Sequence, residues 1–460
     1  MRARLCGTVR KGEAYVKNGD LLFWLWLAEA LGPACRCFRQ LIHLYDNPYD
    51  LFHADESELE RIPELTERVR LALSDKNLTK ASAIMDNCEK LGIGILTYGD
   101  EAYPRALREI KTPPVLLYYS GELPDLNRQL CIGMVGTRKM SAYGLRTAYK
   151  IGYELSAANV LVVSGMATGI DGVSAAAAMA GKGKTVAVFG CGVDVVYPKH
   201  HAKLMDEIRR NGVLLSEYPP GTRPNSYHFP VRNRIISGIS QGTVVVEAGI
   251  GSGSLITAKE AILQGRPVFA LPANVGSAGA EGTNGLLRDG ALLALGCEDI
   301  LKPYQYLYAE TLALERLRDA AKHSGADLAY LSELGVIEWS GNPASVQTAH
   351  LRAVVPPETP KKPKRIPQRK KVSTPPEPTA ETTPKEETAR ENKRATPDEV
   401  LSSLSPVQLA VLQAIPDDRA ISADSLNALG YPYGDTIAAL TMLEIMGLIQ
   451  KLPGALYTKA

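Results

Sequence analysis

The chain is 460 residues long with a formal net charge of +2. That length allows two to four domains, and so even a charge balance means that any basic partner surface is local rather than global. Its seven cysteines (Cys6, Cys35, Cys37, Cys88, Cys131, Cys191 and Cys297) contain no C-x-x-C pair, which excludes a disulfide-stapled secreted scaffold and predicts a reducing cytoplasm.

The most apolar run, Leu21 to Leu27, lies between Asp20 and Glu29. It falls far short of the ~20 residues needed to cross a bilayer, so it reads as a core helix. The N-terminus lacks an apolar signal core followed by a small-residue cleavage site, and a cytoplasmic protein without a membrane partner is expected. Helical periodicity continues through Cys37–Tyr45, Glu56–Ile62, Leu65–Leu73 and Leu78–Leu91, ending at Gly92. Residues 1–92 are therefore predicted to form an all-α domain. The turn Ile62-Pro63-Glu64-Leu65 has the form of a helix-hairpin-helix junction, although helix packing alone explains it. Cys35 and Cys37 fall in an apolar helical stretch and read as buried thiols; no metal site is expected.

A strand at Ile93–Tyr98 leads into a proline-rich connector, 99–121, that carries a second strand at Val115–Tyr119. Strands and helices then alternate. The strands are 132–135, 160–164, 185–189, 213–216, 243–247 and 267–270, with helices notably at 144–157, 173–180, 201–210 and 254–263. Such alternation predicts an α/β core over 93–305, a doubly wound, mostly parallel, Rossmann-like sheet with its ligand at the carboxyl ends of the strands. A helical extension over 306–340 precedes a Pro, Lys and Glu-rich stretch, 341–398, which has too little apolar surface to offset its ordering entropy and reads as a disordered linker. The last segment, 399–460, reads as three helices and a hairpin turning at Pro453-Gly454, the plan of a winged-helix domain. Its candidate recognition helix, 435–446, carries only Asp435 and Glu444 as charges, which favours a protein-contact role over DNA reading.

Four strand ends carry anion-friendly turns. Val135-Gly136-Thr137-Arg138 closes the first core strand and Ser164-Gly165 the next; Gly190 to Pro198 and Glu247 to Thr257 close two others. Gly136 and Gly165 are expected to let backbone approach a phosphate, and Arg138 to grip it with its planar fork. The helix starts that follow aim unpaired amides at the same place. A further cluster, His228-Phe229-Pro230-Val231-Arg232-Asn233-Arg234, opens an apolar helix with two arginines.

The order Y-P-x-x-L at Tyr103, V-G-T-R, S-G-x-A-x-G-I-D, Y-P at Tyr197, F-P-x-R-N-R-I-I, S-G-S-x-x-T-A and G-T-N-G-L-L-R-D-G-A from Gly282 resembles the DNA-processing protein A (DprA/Smf) family over roughly residues 95 to 300. The resemblance implies a non-enzymatic, cofactor-free homodimer with an extended Rossmann fold. In that family the protein binds single-stranded DNA without sequence preference, protects incoming strands in natural transformation and loads RecA recombinase onto them. Carried onto this chain, the DNA-binding set is Gly136, Thr137, Arg138, Ser164, Gly165, Lys199, Arg232, Asn233, Arg234, Ser252, Gly253 and Ser254. Two positions depart from the family pattern: Ala175 stands where a histidine is usual, and Ala273 follows Pro272 where a glycine is usual.

The alternative reading is a nucleotide or nucleoside-monophosphate hydrolase on a related fold. Its expected P-G-G-x-G-T loop and catalytic glutamate are replaced here by Ala248 to Ser254, and Glu217 and Glu247, the available carboxylates at strand ends, read as structural partners. No G-x-G-x-x-G follows the first core strand and no P-loop is present, so neither nicotinamide nor P-loop nucleotide chemistry is indicated.

Overall fold

A computed structural model of the chain describes residues 11–63, 65–277 and 279–339, and beyond them 406–416, 421–422, 425–426, 439–440, 443, 448–452 and 456–459. The chain separates into two compact units, Met1–Lys361 and Lys362–Ala460.

The first unit opens with six helices: α1 (Lys11–Leu31), α2 (Phe38–Tyr45), α3 (Pro48–His53), α4 (Glu56–Glu60), α5 (Glu67–Ser74) and α6 (Thr79–Leu91). The apolar run of α1 is a core helix, with Leu25 and Leu27 fully enclosed and Trp26 meeting Phe52 of α3 edge to face at 5.0 Å. No helix among the described residues is long and apolar enough to cross a membrane. Helix α6 stops at Gly92, whose φ of +63° is the left-handed conformation that ends helices without a Cβ penalty.

Nine strands form one sheet: β1 (Gly94–Thr97), β2 (Leu116–Gly121), β3 (Cys131–Val135), β4 (Leu161–Ser164), β5 (Thr185–Phe189), β6 (Val213–Ser216), β7 (Gly242–Val245), β8 (Val268–Ala270) and β9 (Leu292–Leu293). Their order is β1-β2-β6-β5-β4-β3-β7-β8-β9. Pairing is parallel from β6 to β9 and antiparallel where β1 and β2 extend the β6 edge. The mostly parallel sheet thus agrees with the α/β expectation. The two-residue edge strand β9 was not anticipated; it is too short to carry a periodic signal.

The remaining helices are α7 (Arg105–Arg108), α8 (Ala142–Ala157), α9 (Ile170–Ala180), α10 (Ala202–Asn211), α11 (His228–Ile239), α12 (Gly253–Leu263), α13 (Glu281–Arg288), α14 (Cys297–Leu301), α15 (Leu317–His323) and α16 (Leu328–Glu333). Alternation along each strand sends successive residues to opposite faces. In β4, Val162 joins a core layer that includes Leu145 and Leu155 of α8, Val173 of α9 and Leu204 of α10. Its neighbours Leu161 and Val163 join the opposite layer, with Ile235, Ile236 and Ile239 of α11 and Ala258 and Ala261 of α12. From β3 the chain travels one way through β4, β5 and β6; after β6 it returns to the other side of β3 with β7. Right-handed crossovers require the helices to change face when the direction of travel reverses. The reversal leaves a crevice between the carboxyl ends of β3 and β7, where ligands of such sheets bind.

The second unit, among its described residues, contains a helix, α17 (Pro406–Ala414), and strands β10 (Ile421–Ser422), β11 (Ile449–Leu452) and β12 (Leu456–Lys459) in the order β10-β12-β11. Val411, Ile415, Leu440, Leu443 and Tyr457 belong to its own apolar cluster. The expected linker, the Pro453-Gly454 turn and most of the candidate recognition helix lie outside the described residues.

Candidate nucleic-acid interface

A cavity of about 670 Å³ occupies the β3/β7 crevice. Gly136 to Lys139 after β3 form one wall and Gly249 to Thr257, entering α12, form another; Phe229, Pro230, Arg232, Asn233 and Ile236 of α11 form the third. Tyr197 also lines it, its ring stacked on Phe229 at 5.3 Å. The charged lining residues are Arg138, Lys139 and Arg232 against the single carboxylate of Asp171. A cavity with net positive charge, apolar and aromatic walls and a helix N-terminus suits an anion attached to a planar group.

The turn after β3 is held by backbone: the Thr137 amide donates to the Glu247 carbonyl at 2.8 Å, and the Lys139 amide donates to Thr137 Oγ1 at 3.1 Å. Both Arg138 and Lys139 project into solvent. The guanidinium of Arg138 stands 5.8 Å from the Phe229 ring centre, and that of Arg232 5.9 Å from it. Phe229 is thus a half-exposed ring with two cations within about 6 Å of its centre, a platform on which a base can stack while its phosphate is neutralised.

Arg232 has a different environment from Arg138. It is 4 % exposed, and its Nη1 donates to the Gly165 carbonyl at 3.0 Å and to the Val188 carbonyl. Its Nε donates to Asn233 Oδ1 at 3.3 Å. Asp171, near the start of α9, accepts the Gly165 amide at 3.0 Å. Burial raises the Asp171 carboxyl while the nearby Arg232 and Arg138 charges pull it back; burial likewise lowers Arg232, opposed by Asp171. The two hold the Ser164-Gly165 turn from its carbonyl and its amide.

The glycines are required for a reason the sequence did not reveal. A Cβ at Gly136 would come within 2.5 Å of Ile170, and one at Gly165 within 2.5 Å of the Arg232 guanidinium. Their missing side chains make room for protein neighbours, not for an approaching anion.

Eight of the twelve expected contact residues line the cavity: Gly136, Thr137, Arg138, Arg232, Asn233, Ser252, Gly253 and Ser254. In the last group Ser252 Oγ and Ser254 Oγ lie 2.8 Å apart, Gly251 takes a φ of +76°, and Asn233 Nδ2 donates to the Gly253 carbonyl at 3.4 Å. Four are not in its lining. Ser164 is fully enclosed beneath it; Gly165 is covered by Arg232; Lys199 is exposed on the short helical turn Lys199–His201. Arg234 is 5 % exposed and forms a two-pronged ion pair with Glu217, Nη2 to both carboxylate oxygens at 2.7 Å. Helical geometry turns adjacent residues apart, so Arg234 faces away from the side that presents Asn233. Sequence reasoning missed Lys139, Tyr197 and Phe229 as site residues. Phe229 had a usable signal, an aromatic three positions before Arg232 on one helical turn.

Glu247, like Glu217, is committed to structure. Its Oε2 accepts the Ser141 amide at 2.9 Å at the start of α8, and burial raises its pKa against that bond. The unusual Ala175 is fully enclosed in α9. At the other departure the Ala273 peptide is held on both sides by Asn284, whose Oδ1 accepts from its amide at 3.2 Å and whose Nδ2 donates to its carbonyl at 2.9 Å.

Residues 94–305 match the family model described as DNA recombination-mediator protein A. The chain is 41% identical over 211 residues to the DNA processing protein DprA of Bacillus subtilis, covering 46% of this chain and 71% of that one. It is 41% identical over 225 residues to the Protein Smf of Escherichia coli, covering 49% of this chain and 58% of that one. The crystal structure of DNA processing protein A (DprA) from Streptococcus pneumoniae is similar to it with a TM-score of 0.55 at 32% identity, over 61% of this chain and 97% of that one.

Proposed function

The chain belongs to the DNA processing protein A (DprA/Smf) family, and from that premise we propose that it binds single-stranded DNA, without regard to base sequence, in the crevice between β3 and β7. The observation that carries the reading is the juxtaposition of exposed Arg138 and Lys139 with the Phe229 ring. These groups neutralise phosphate and stack a base, and neither interaction depends on which base is present. Arg232 and Asp171 preorganise the floor. Ser252 to Ser254, at the N-terminus of α12, supply backbone amides to a second phosphate. Arg234, held by Glu217, is left out of the contact set.

A single strand fits this site better than a duplex because stacking on Phe229 needs a base whose face is free. In the cell the role that follows is a cytoplasmic one: protecting incoming strands in natural transformation and handing them to RecA recombinase. The working unit is a homodimer. Among the described residues strand β9 pairs only with β8, and Leu292, Leu293 and Leu295 in and beside it are 45, 52 and 71 % exposed; a second copy pairing there would cover an open apolar edge. Gel-shift titrations with single-stranded and double-stranded oligonucleotides of equal length test the reading. Preference for the single strand, shared by homopolymers of different base, is expected; equal affinity for both forms would sink it.

A further inference from the structure

Cys35 and Cys37 lie in the turn between α1 and α2, with Cys37 immediately before the first residue of α2. Their Sγ atoms are 3.0 Å apart in a hydrogen bond. Cys35 is half-buried and Cys37 is enclosed, so Cys35 is the more accessible of the two. The turn is pinned to the core, where the Ala34 amide donates to Glu217 Oε1 at 3.3 Å.

We propose that this pair is a peroxide-sensitive dithiol, in which Cys35 is the sulfur attacked and Cys37 the one that resolves it. The Cys35 thiolate attacks one oxygen of hydrogen peroxide, the O–O bond breaks, and Cys35 becomes a sulfenic acid as hydroxide leaves. Cys37 then attacks the Cys35 sulfur, the S–O bond breaks, and the oxygen departs as water with the Cys37 proton. Two thiols and one peroxide become one disulfide and two waters, and two electrons pass from sulfur to peroxide oxygen.

The surroundings support both roles. The Cys37 thiol and the Cys37 and Phe38 amides at the start of α2 lower the pKa of Cys35, against burial and the Glu217 charge. Thiolate character of this kind makes a cysteine reactive. The Cys37 thiol is raised by its bond to Cys35 and by burial, so it keeps its proton until the sulfenic acid forms. The other described cysteines provide an internal contrast. Burial pushes Cys88 and Cys191 up to about 11 and Cys131 up to about 12, and raises Cys297 as well. A ring closed across the single residue Arg36 is strained, and strained disulfides are readily reduced, so the oxidised form should be reversible.

The test uses the full chain carrying Cys6→Ser, treated with a small excess of hydrogen peroxide and mapped by mass spectrometry. Loss of two hydrogens from the peptide holding Cys35 and Cys37, restored by dithiothreitol, is expected. In Cys37→Ser, the sulfenic-acid reagent dimedone should label Cys35. In Cys35→Ser, labelling at position 37 should fall by about tenfold or more, following the lost thiolate. Equal labelling of Cys88, Cys131 or Cys191, or equal labelling of Cys37 in Cys35→Ser, would overturn the assignment. Unchanged circular dichroism of both serine variants keeps the comparison within folded protein.

Discussion

Glu217 holds Arg234 through two hydrogen bonds of 2.7 Å, with both side chains more than nine-tenths enclosed. One end of this pair lies just after the sixth strand and the other on α11, so it ties the end of β6 to the helix that forms one wall of the interface. Arg234 also keeps Nε and Nη1 without partners, which makes the pair costly to bury and costly to break. Arg234→Met should lower stability by about 3 to 5 kcal/mol, since it strands Glu217 without its counter-charge. Adding Glu217→Met should recover much of that loss. Equilibrium denaturation of the single and double variants decides it; a double variant as weak as the single would deny the coupling.

Arg138 is exposed and has the opposite signature. Arg138→Ala should leave the melting temperature unchanged while weakening DNA binding equally for every base sequence. The slope of log affinity against log salt should fall by about 0.7 for one lost phosphate contact on a single strand. An unaltered slope measured between low and moderate salt would assign Arg138 to structure.

Phe229 should contribute through stacking. Phe229→Ala is expected to weaken binding by about 1 to 3 kcal/mol with the salt slope intact, whereas Phe229→Trp should retain most of the affinity. Fluorescence titrations at several salt concentrations separate this loss from an electrostatic one.

His201 gives the fold a pH dependence. It is fully enclosed, its Nδ1 lies 3.1 Å from the Met166 carbonyl, and burial with the neighbouring His200 lowers its pKa to about 4. The unfolded chain takes up the proton near pH 6.5 and the folded one only near 4, so its contribution is complete above about 6.5 and lost as pH falls towards 4. The linkage amounts to about 3 kcal/mol. Across that window, denaturation of His201→Asn should show a shallower pH dependence than the parent chain; parallel curves would remove His201 as the cause.

The open edge at β9 predicts the oligomeric state. Leu293→Lys should give a monomer by sedimentation, with a folded spectrum, where the parent chain should sediment as a dimer. Because a strand that bridges two sites gains effective concentration, dimer affinity should rise steeply with oligonucleotide length, by about 100-fold or more, and monomer affinity should not. Matching length curves would count against two cooperating sites.

The alternating apolar runs of the core determined the α/β class, the positions of most strands and the turns that carry ligand chemistry, because a buried strand needs a local run of apolar residues and a strand end needs a turn. The V-G-T-R and S-G-S turns were legible for the same reason: each is a contiguous stretch with its own backbone demand. What they touch was not legible. Arg232 and Arg234 stand two residues apart in the same motif, yet one forms the cavity floor beside Gly165 and the other pairs with Glu217. A helix turns consecutive side chains to different faces, and which face meets the crevice was decided only when β7 returned beside β3. The roles of Gly136 and Gly165, filled by Ile170 and Arg232 from distant segments, were decided by packing between elements, which no local pattern records.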